Sequence, residues 1–200
     1  MKSRILTLAI VVLAVPVLAD APLLPLTTTR GMHSAQICPV GPNEGFTARH
    51  VAYERYEDDL DMNSIPMRWS MFGTWKGGVA QPANFSHALD IARVTSDTPF
   101  PYFFPIAAVD PKVGDRVTIV GYNFDKGAKP YIVKTKITDF SAGVLYTEDT
   151  PGPGSSGSCV FNEEGEVVAI NYGARVVSMD RVRGAAVVLT PDVIEGLRAE

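Results

Sequence analysis

Pro153-Gly154-Ser155-Ser156-Gly157-Ser158-Cys159-Val160-Phe161 sets a glycine-flanked serine directly ahead of a β-branched and aromatic run. Glycines on either side of a serine suit a tight turn that presents its hydroxyl, and the apolar residues after it read as a strand. A serine hydroxyl is a weak nucleophile at neutral pH. It needs a base within hydrogen-bond reach and a third group that orients the base. Upstream, Thr47-Ala48-Arg49-His50 offers an imidazole. Ala88-Leu89-Asp90-Ile91-Ala92 offers a carboxylate at the head of an apolar strand, where an unpaired charge would be costly. His50, Asp90 and Ser156 are therefore the candidate base, orienting group and nucleophile.

Chain order separates the known versions of this chemistry. The three histidines, His33, His50 and His87, all precede Ser156. An α/β-hydrolase order needs a histidine after the nucleophile, so it is excluded. The subtilisin order begins with an aspartate before the histidine, and only Asp20 stands there. The order His, Asp, Ser remains, which is that of chymotrypsin. His87 stands three residues before Asp90 and on a strand would point to the opposite face, so it and His33 are read as bystanders. Asp58, Asp59 and Asp61 fall in a charged loop and are read as solvated.

The same segments resemble the chymotrypsin-like serine peptidases one by one. Thr47-Ala48-Arg49-His50 is similar to the family's Thr-Ala-Ala-His, Asp90-Ile91-Ala92 to its Asp-Ile-Ala/Thr, and Gly154-Ser155-Ser156-Gly157 to its Gly-Asp-Ser-Gly. The run from Gly154 through Asn162, continued by Glu166-Val167-Val168-Ala169-Ile170-Asn171-Tyr172-Gly173, resembles the V8-like glutamyl endopeptidase and HtrA-like bacterial branches. Val113-Gly114-Asp115-Arg116-Val117 looks like the segment that opens their second barrel.

That resemblance implies an all-β fold of two six-stranded antiparallel barrels with a short C-terminal helix. Residues 20–99 would form the first barrel and carry the histidine and aspartate; 100–200 would form the second and carry the nucleophile. It implies an acyl-enzyme route to peptide hydrolysis, with the N–H groups of Gly154 and Ser156 as oxyanion hole. Thr150 would lie at the base of the primary pocket, and Asn171, Tyr172 and Gly173 would form the edge that pairs with substrate backbone. Trypsin-like members carry aspartate at Thr150, whereas glutamyl endopeptidases carry threonine at Pro151 and histidine at Asn171; this chain departs from both patterns. Ser155 replaces the aspartate that pairs with a newly cut N-terminus in zymogen-activated members, so activity is expected without that switch. Cys38 and Cys159 fall on strands that this fold could bring together near the cleft. A disulfide and two buried free thiols both remain open.

Composition agrees with a folded, largely β protein: 46% hydrophobic residues, with glycine and proline frequent between short β-branched runs. A formal net charge of −4 without a basic block argues against nucleic-acid binding. Lys2 and Arg4 followed by apolar residues 5–18 and the small-residue stretch at 17–21 read as a signal peptide over 1–19, giving a secreted or periplasmic protein with no stable membrane insertion after its removal. Metal-ligand spacing is absent, and no cofactor is expected. The expected partner is a protein or peptide substrate met by a monomer. The alternative is a non-catalytic peptide-binding module on the same fold.

Turn signals divide the chain into short strands. A hairpin over 37–48 would deliver His50 from its second strand, and 67–72 and 88–94 would complete the first barrel. Residues 22–34 have no period and would wrap the surface; 98–105, rich in proline and aromatic residues, would connect the halves. Strands are expected at 116–122, 131–137, 143–147, 158–161, 167–172 and 185–189, followed by a helix from Pro191 to about Arg198 with Thr190 as its cap.

Overall fold

The computed structural model describes residues 25–27, 34–52, 65–71, 74–82, 89–123, 129–178 and 181–199. The expected signal peptide over 1–19, His33, the acidic stretch 57–61 and His87 lie outside them. In the N-terminal half, strands β1 (Pro25–Thr27), β2 (Ser34–Gln36), β3 (Cys38–Pro39), β4 (Glu44–Thr47), β5 (Ile65–Met71), β6 (Thr74–Pro82) and β7 (Ala92–Ser96) pair antiparallel in the order β2-β1-β5-β6-β7-β4-β3. In the C-terminal half, β8 (Arg116–Asn123), β9 (Lys129–Ser141), β10 (Val144–Thr147), β11 (Cys159–Phe161), β12 (Val167–Ser178) and β13 (Arg181–Val188) close into a six-stranded barrel ordered β10-β13-β12-β11-β8-β9.

Of the two six-stranded barrels expected, the C-terminal one is met; in the N-terminal half no closed barrel is formed among the described residues. There the described strands form a seven-stranded sheet. Its two edge strands, β2 and β3, are consecutive in the chain and separated only by Ile37. One edge thus hands the chain to the other, and among the described residues no ladder joins them. Residues 25–27, expected to be irregular, form β1 because β2 and β5 supply ladders on both sides.

Alternation of side chains accounts for the burial. Along β10, Val144 and Tyr146 face one way while Leu145 faces the other; along β11, Cys159 and Phe161 oppose Val160. Leu145, Val160, Ala186 and Val188 join Val117, Ile119 and Ile137 inside the barrel. The outward set, including Phe161, Ile170 and Val187, packs against Phe46, Leu89 and Ile91 of the N-terminal half and against Val193 and Leu197. These strands are buried on both faces, which explains their nearly continuous apolar sequences.

The second helix, α2 (Pro191–Ala199), begins where Thr190 Oγ1 accepts the Val193 N–H at 3.3 Å, with Pro191 in its first turn. Its last turn reaches back to the first sheet. Glu44 on β4 accepts two hydrogen bonds from Arg198, at 3.0 and 2.6 Å, and one from Arg93 Nε at 2.9 Å. Cys38 and Cys159 resolve their open alternatives as a disulfide between the two halves, with Cα atoms 5.0 Å apart and a sequence separation of 121.

Two predictions concern this seam. A loop of that length is worth up to about 4–5 kcal/mol in the chain-entropy model, so the Cys38→Ser/Cys159→Ser variant should unfold at clearly lower urea; an unchanged midpoint would argue against a stabilising bridge. Arg198, and secondarily Arg93, holds the Glu44 carboxyl below the usual glutamate range against the opposing effect of burial. A depressed carboxyl stabilises the fold above its unfolded pKa and loses that contribution as pH falls through the folded value. Because the Arg198 side chain is half exposed, the contribution should be about 1 kcal/mol or less. Between about pH 5 and pH 3 the wild-type midpoint should therefore fall slightly more steeply than that of Glu44→Gln. Parallel curves would refute the linkage.

Candidate active site

Each half of the molecule contributes to one polar cluster. β4 ends at Thr47, and His50 follows on the single helical turn α1 (Arg49–Ala52). The base is therefore presented by a helical turn, not by the strand expected to deliver it, because β4 runs out of partner when β7 begins at Ala92. Asp90 stands two residues before β7, in the connection between buried Leu89 and buried Ile91, and not on the strand itself. Ser156 comes from the loop between β10 and β11.

The structure brings these three residues together. His50 Nδ1 lies 2.7 Å from Asp90 Oδ2, and the His50 backbone N–H donates to Asp90 Oδ1 at 2.9 Å. Both carboxylate oxygens are thus committed to one residue, which fixes the ring's position and orientation. An ionised carboxylate only accepts, so this pairing puts the ring proton on Nδ1 and leaves Nε2 as an acceptor. Nε2 lies 2.9 Å from Ser156 Oγ. The side chains of His50 and Asp90 remain 47% and 28% exposed, so the cluster opens to solvent and to anything bound there.

Glycine geometry shapes the loop under the serine. Gly154 and Gly157 adopt φ of 81° and 86°, in the left-handed region that side chains disfavour. A Cβ on Gly157 would also collide with the Gln36 carbonyl and come within 2.5 Å of Thr47 Oγ1. Close approach is needed because the halves meet here: Gln36 N–H donates to the Ser156 carbonyl at 2.8 Å, and Thr47 Oγ1 donates to the Gln36 carbonyl at 2.7 Å. Among the described residues, no protein acceptor takes the N–H of Gly154 or of Ser156.

The expected substrate-facing residues divide. The Tyr172 carbonyl lies 3.2 Å from Ser156 Oγ, and a Cβ on Gly173 would meet open space. The ladder from β12 to β11 stops at Ile170, so from Tyr172 onward one edge of β12 has no strand partner among the described residues. Burial, then the neighbouring Tyr146 and Asp90, push the Tyr172 phenol up, while Arg175 opposes the shift. Thr150 lies in the half-exposed entry to the nucleophile loop, its Oγ1 facing the Gly152 N–H at 3.5 Å.

Asn171 departs from its expected place. It is fully buried, its N–H donates to the Ser158 carbonyl at 2.9 Å, and its carbonyl accepts the Gly157 N–H at 2.7 Å. Its side-chain amide donates to the carbonyl and to the hydroxyl of Ser155, each at 2.9 Å. Asn171 thus anchors the nucleophile loop and has no surface to offer a substrate. The reason is parity: Asn171 pairs with Ala186, whose side chain faces the barrel interior. Sequence reasoning passed over Ser158 and Tyr131, and read Ser155 only as the absence of an activating aspartate; the Tyr131 and Ser158 hydroxyls meet below this loop, and both Ser155 and Ser158 are buried in it. For Tyr131, in an unremarkable β9 sequence, no motif could have given the signal.

Comparison with known proteins places this geometry. Residues 37–170 match the model of the trypsin-like peptidase domain. A glutamyl endopeptidase of Staphylococcus aureus (strain MW2) is 27% identical over 133 residues, covering 66% of this chain and 34% of that protein. Exfoliative toxin A of Staphylococcus aureus is 38% identical over 73 residues, covering 36% and 25%. The match thus spans about a third or less of the length of these curated relatives. Among solved structures, a Glu endopeptidase in complex with MPD superposes with a TM-score of 0.71 at 17% identity, covering 90% of this chain and 91% of that one. A serine endoprotease from Yersinia pestis gives a TM-score of 0.65 at 20% identity, covering 89% and 64%. Identities this low speak for the fold, which is chymotrypsin-like. The family match is a separate finding: it runs from Ile37 through the nucleophile loop to Ile170, more than half of the sequence, and the chain belongs to the trypsin-like peptidase family.

Proposed function

We propose that this protein is an exported serine endopeptidase that cleaves peptide bonds through His50, Asp90 and Ser156 in the cleft between its two halves, the N-terminal sheet serving as the first of two barrels. The observation that carries the reading is the aligned pair of contacts at the imidazole, 2.7 Å to Asp90 and 2.9 Å to Ser156. As Ser156 Oγ attacks a peptide carbonyl, its proton passes to His50 Nε2, and Asp90 stabilises the imidazolium that results. His50 then gives that proton to the leaving amine, and water, activated by the same imidazole, releases the acyl group from Ser156. The Gly154 and Ser156 N–H groups receive the carbonyl oxygen as it gains negative charge. One such donor is typically worth about 2.7–4 kcal/mol to the transition state.

Substrate would lie along the open edge of β12 at Tyr172 and Gly173, adding a strand by backbone hydrogen bonds. Thr150 stands where selectivity for a basic side chain would call for a carboxylate, so cleavage after lysine or arginine is not expected. The leader composition supports export. The site calls for no cofactor, and the protein is proposed to act as a monomer.

The reading is tested by incubating wild type and Ser156→Ala with a fluorophosphonate probe and a peptide library, mapping cuts by mass spectrometry. Wild type should be labelled at Ser156 and should cleave. The variant should escape labelling and lose several orders of magnitude in rate, about 10⁶-fold by analogy with nucleophile deletion in another serine peptidase. A wild type that neither labels nor cleaves, yet retains peptides, would instead establish a binding module.

A further inference from the structure

The peptide unit between Ser155 and Ser156 owns one of the two N–H groups assigned to the oxyanion hole, and its other end is unusually well held. The Ser155 carbonyl accepts the Ser158 N–H at 3.1 Å, the Ser158 hydroxyl at 2.6 Å and the Asn171 amide at 2.9 Å. Three donors on one carbonyl exceed what turn geometry alone requires. Behind them stands Tyr131, whose hydroxyl is 2.7 Å from Ser158 Oγ. Since Ser158 spends its proton on Ser155, Tyr131 is the donor of that contact. Ser155 Oγ donates to the Gly152 carbonyl at 2.6 Å and accepts the second Asn171 N–H, so hydroxyl and carbonyl are held together.

Space is reserved for this arrangement. A Cβ on Gly121 would strike the Tyr131 hydroxyl and come within 2.6 Å of Ser158 Oγ. Ser155, Ser158 and Asn171 are all buried, so water does not compete for these bonds. Burial also pushes the Tyr131 phenol up to about 12, against the opposing hydrogen bonds from Ser158 and Ser155, which keeps it a neutral donor at physiological pH.

In a planar trans peptide the C=O and the following N–H point in opposite directions. No cis bond occurs among the described residues. Donors that draw the Ser155 carbonyl into the barrel therefore turn the Ser156 N–H out, toward the side where its own hydroxyl meets His50. The reversed peptide would put a carbonyl in that place and strand several buried donors at once.

We infer that Asn171, Ser158 and Tyr131 are positioning residues that set the Ser155–Ser156 peptide plane and so hold the oxyanion donor formed before substrate arrives. The inference rests on the serine-peptidase reading above. None of the three touches the reacting atoms; they act through the orientation of one N–H.

The test uses the full-length protein and a peptide substrate identified with the wild type. Asn171→Leu keeps the side-chain shape and removes both donors; Ser158→Ala removes the relay; Tyr131→Phe removes only its outermost hydroxyl. For Asn171→Leu and Ser158→Ala, kcat should fall about 10²–10³-fold, the loss typical of one missing oxyanion donor, with KM within about threefold. A peptide aldehyde, which needs the oxyanion hole, should weaken by a similar factor, whereas a non-covalent product peptide should bind as before. The pH dependence of kcat/KM should keep its shape because His50 and Asp90 are untouched. Tyr131→Phe, which covers the case in which the other variants fail to fold, should lose about tenfold in kcat with KM unchanged.

Full kcat in the folded variants, or a loss carried by KM with aldehyde and product peptide weakened alike, would overturn the inference while leaving the peptidase intact. A wild type as inert as Ser156→Ala would remove the proposed reaction itself, and this inference with it.

Discussion

The contact on which the rest of this molecule depends is the approach of Gln36 to Ser156 and Gly157. One backbone hydrogen bond of 2.8 Å joins the halves there, over a glycine that has no room for a side chain. His50 and Asp90 belong to one half and Ser156 to the other. A shift of about 1 Å at this seam would take imidazole and hydroxyl out of productive range, and misplacements of that size are known to cost a hundredfold in rate. Cys159, three residues beyond Ser156, ties the same seam covalently to Cys38.

Magnitudes rank what keeps the seam closed. Fully burying one large aliphatic or aromatic side chain contributes about 1.5–3 kcal/mol. Phe46, Phe161, Ile91, Ile170 and Leu197 all sit in the cluster shared by the two halves and the C-terminal helix. Their sum exceeds the disulfide and far exceeds the Glu44 ion pairs, whose Arg198 partner is half exposed. The apolar seam therefore supplies the adhesion. The disulfide and the Gln36 bond restrict which adhesion geometries survive, a matter of register more than of strength.

Polar order is concentrated instead beneath the nucleophile. Ser155, Ser158, Asn171 and Tyr131 form a neutral network at the end of the barrel interior, next to purely apolar Leu145, Val160 and Ala186. A neutral network suits this place. A buried charge would need its own counter-charge, whereas the hydroxyls and the amide N–H groups here are taken up at short range, with only Asn171 Oδ1 in this network lacking a partner. The loop is thus built from within the second half, and the cleft above it is left to His50, Asp90 and the open edge of β12.

Much of this could be read from the sequence. Glycine spacing around Ser156, the order of His50, Asp90 and Ser156, and short apolar runs separated by turn signals from Arg116 to Val188 follow from local chemistry, which the chain writes residue by residue. The Thr190-Pro191 helix start is legible for the same reason. Other features arise only when distant segments meet. Whether Cys38 and Cys159 pair depends on two strands 121 residues apart. The helical turn that carries His50 exists because β4 loses its partner at Ala92. The family resemblance implies Asn171 as part of the edge that pairs with substrate, yet a bulge after Asn171 and its pairing with Ala186 turn its amide inward. Sequence fixes which groups a strand carries and in what alternation; the face each group meets is set by the strands beside it, and those neighbours are a property of the folded chain alone.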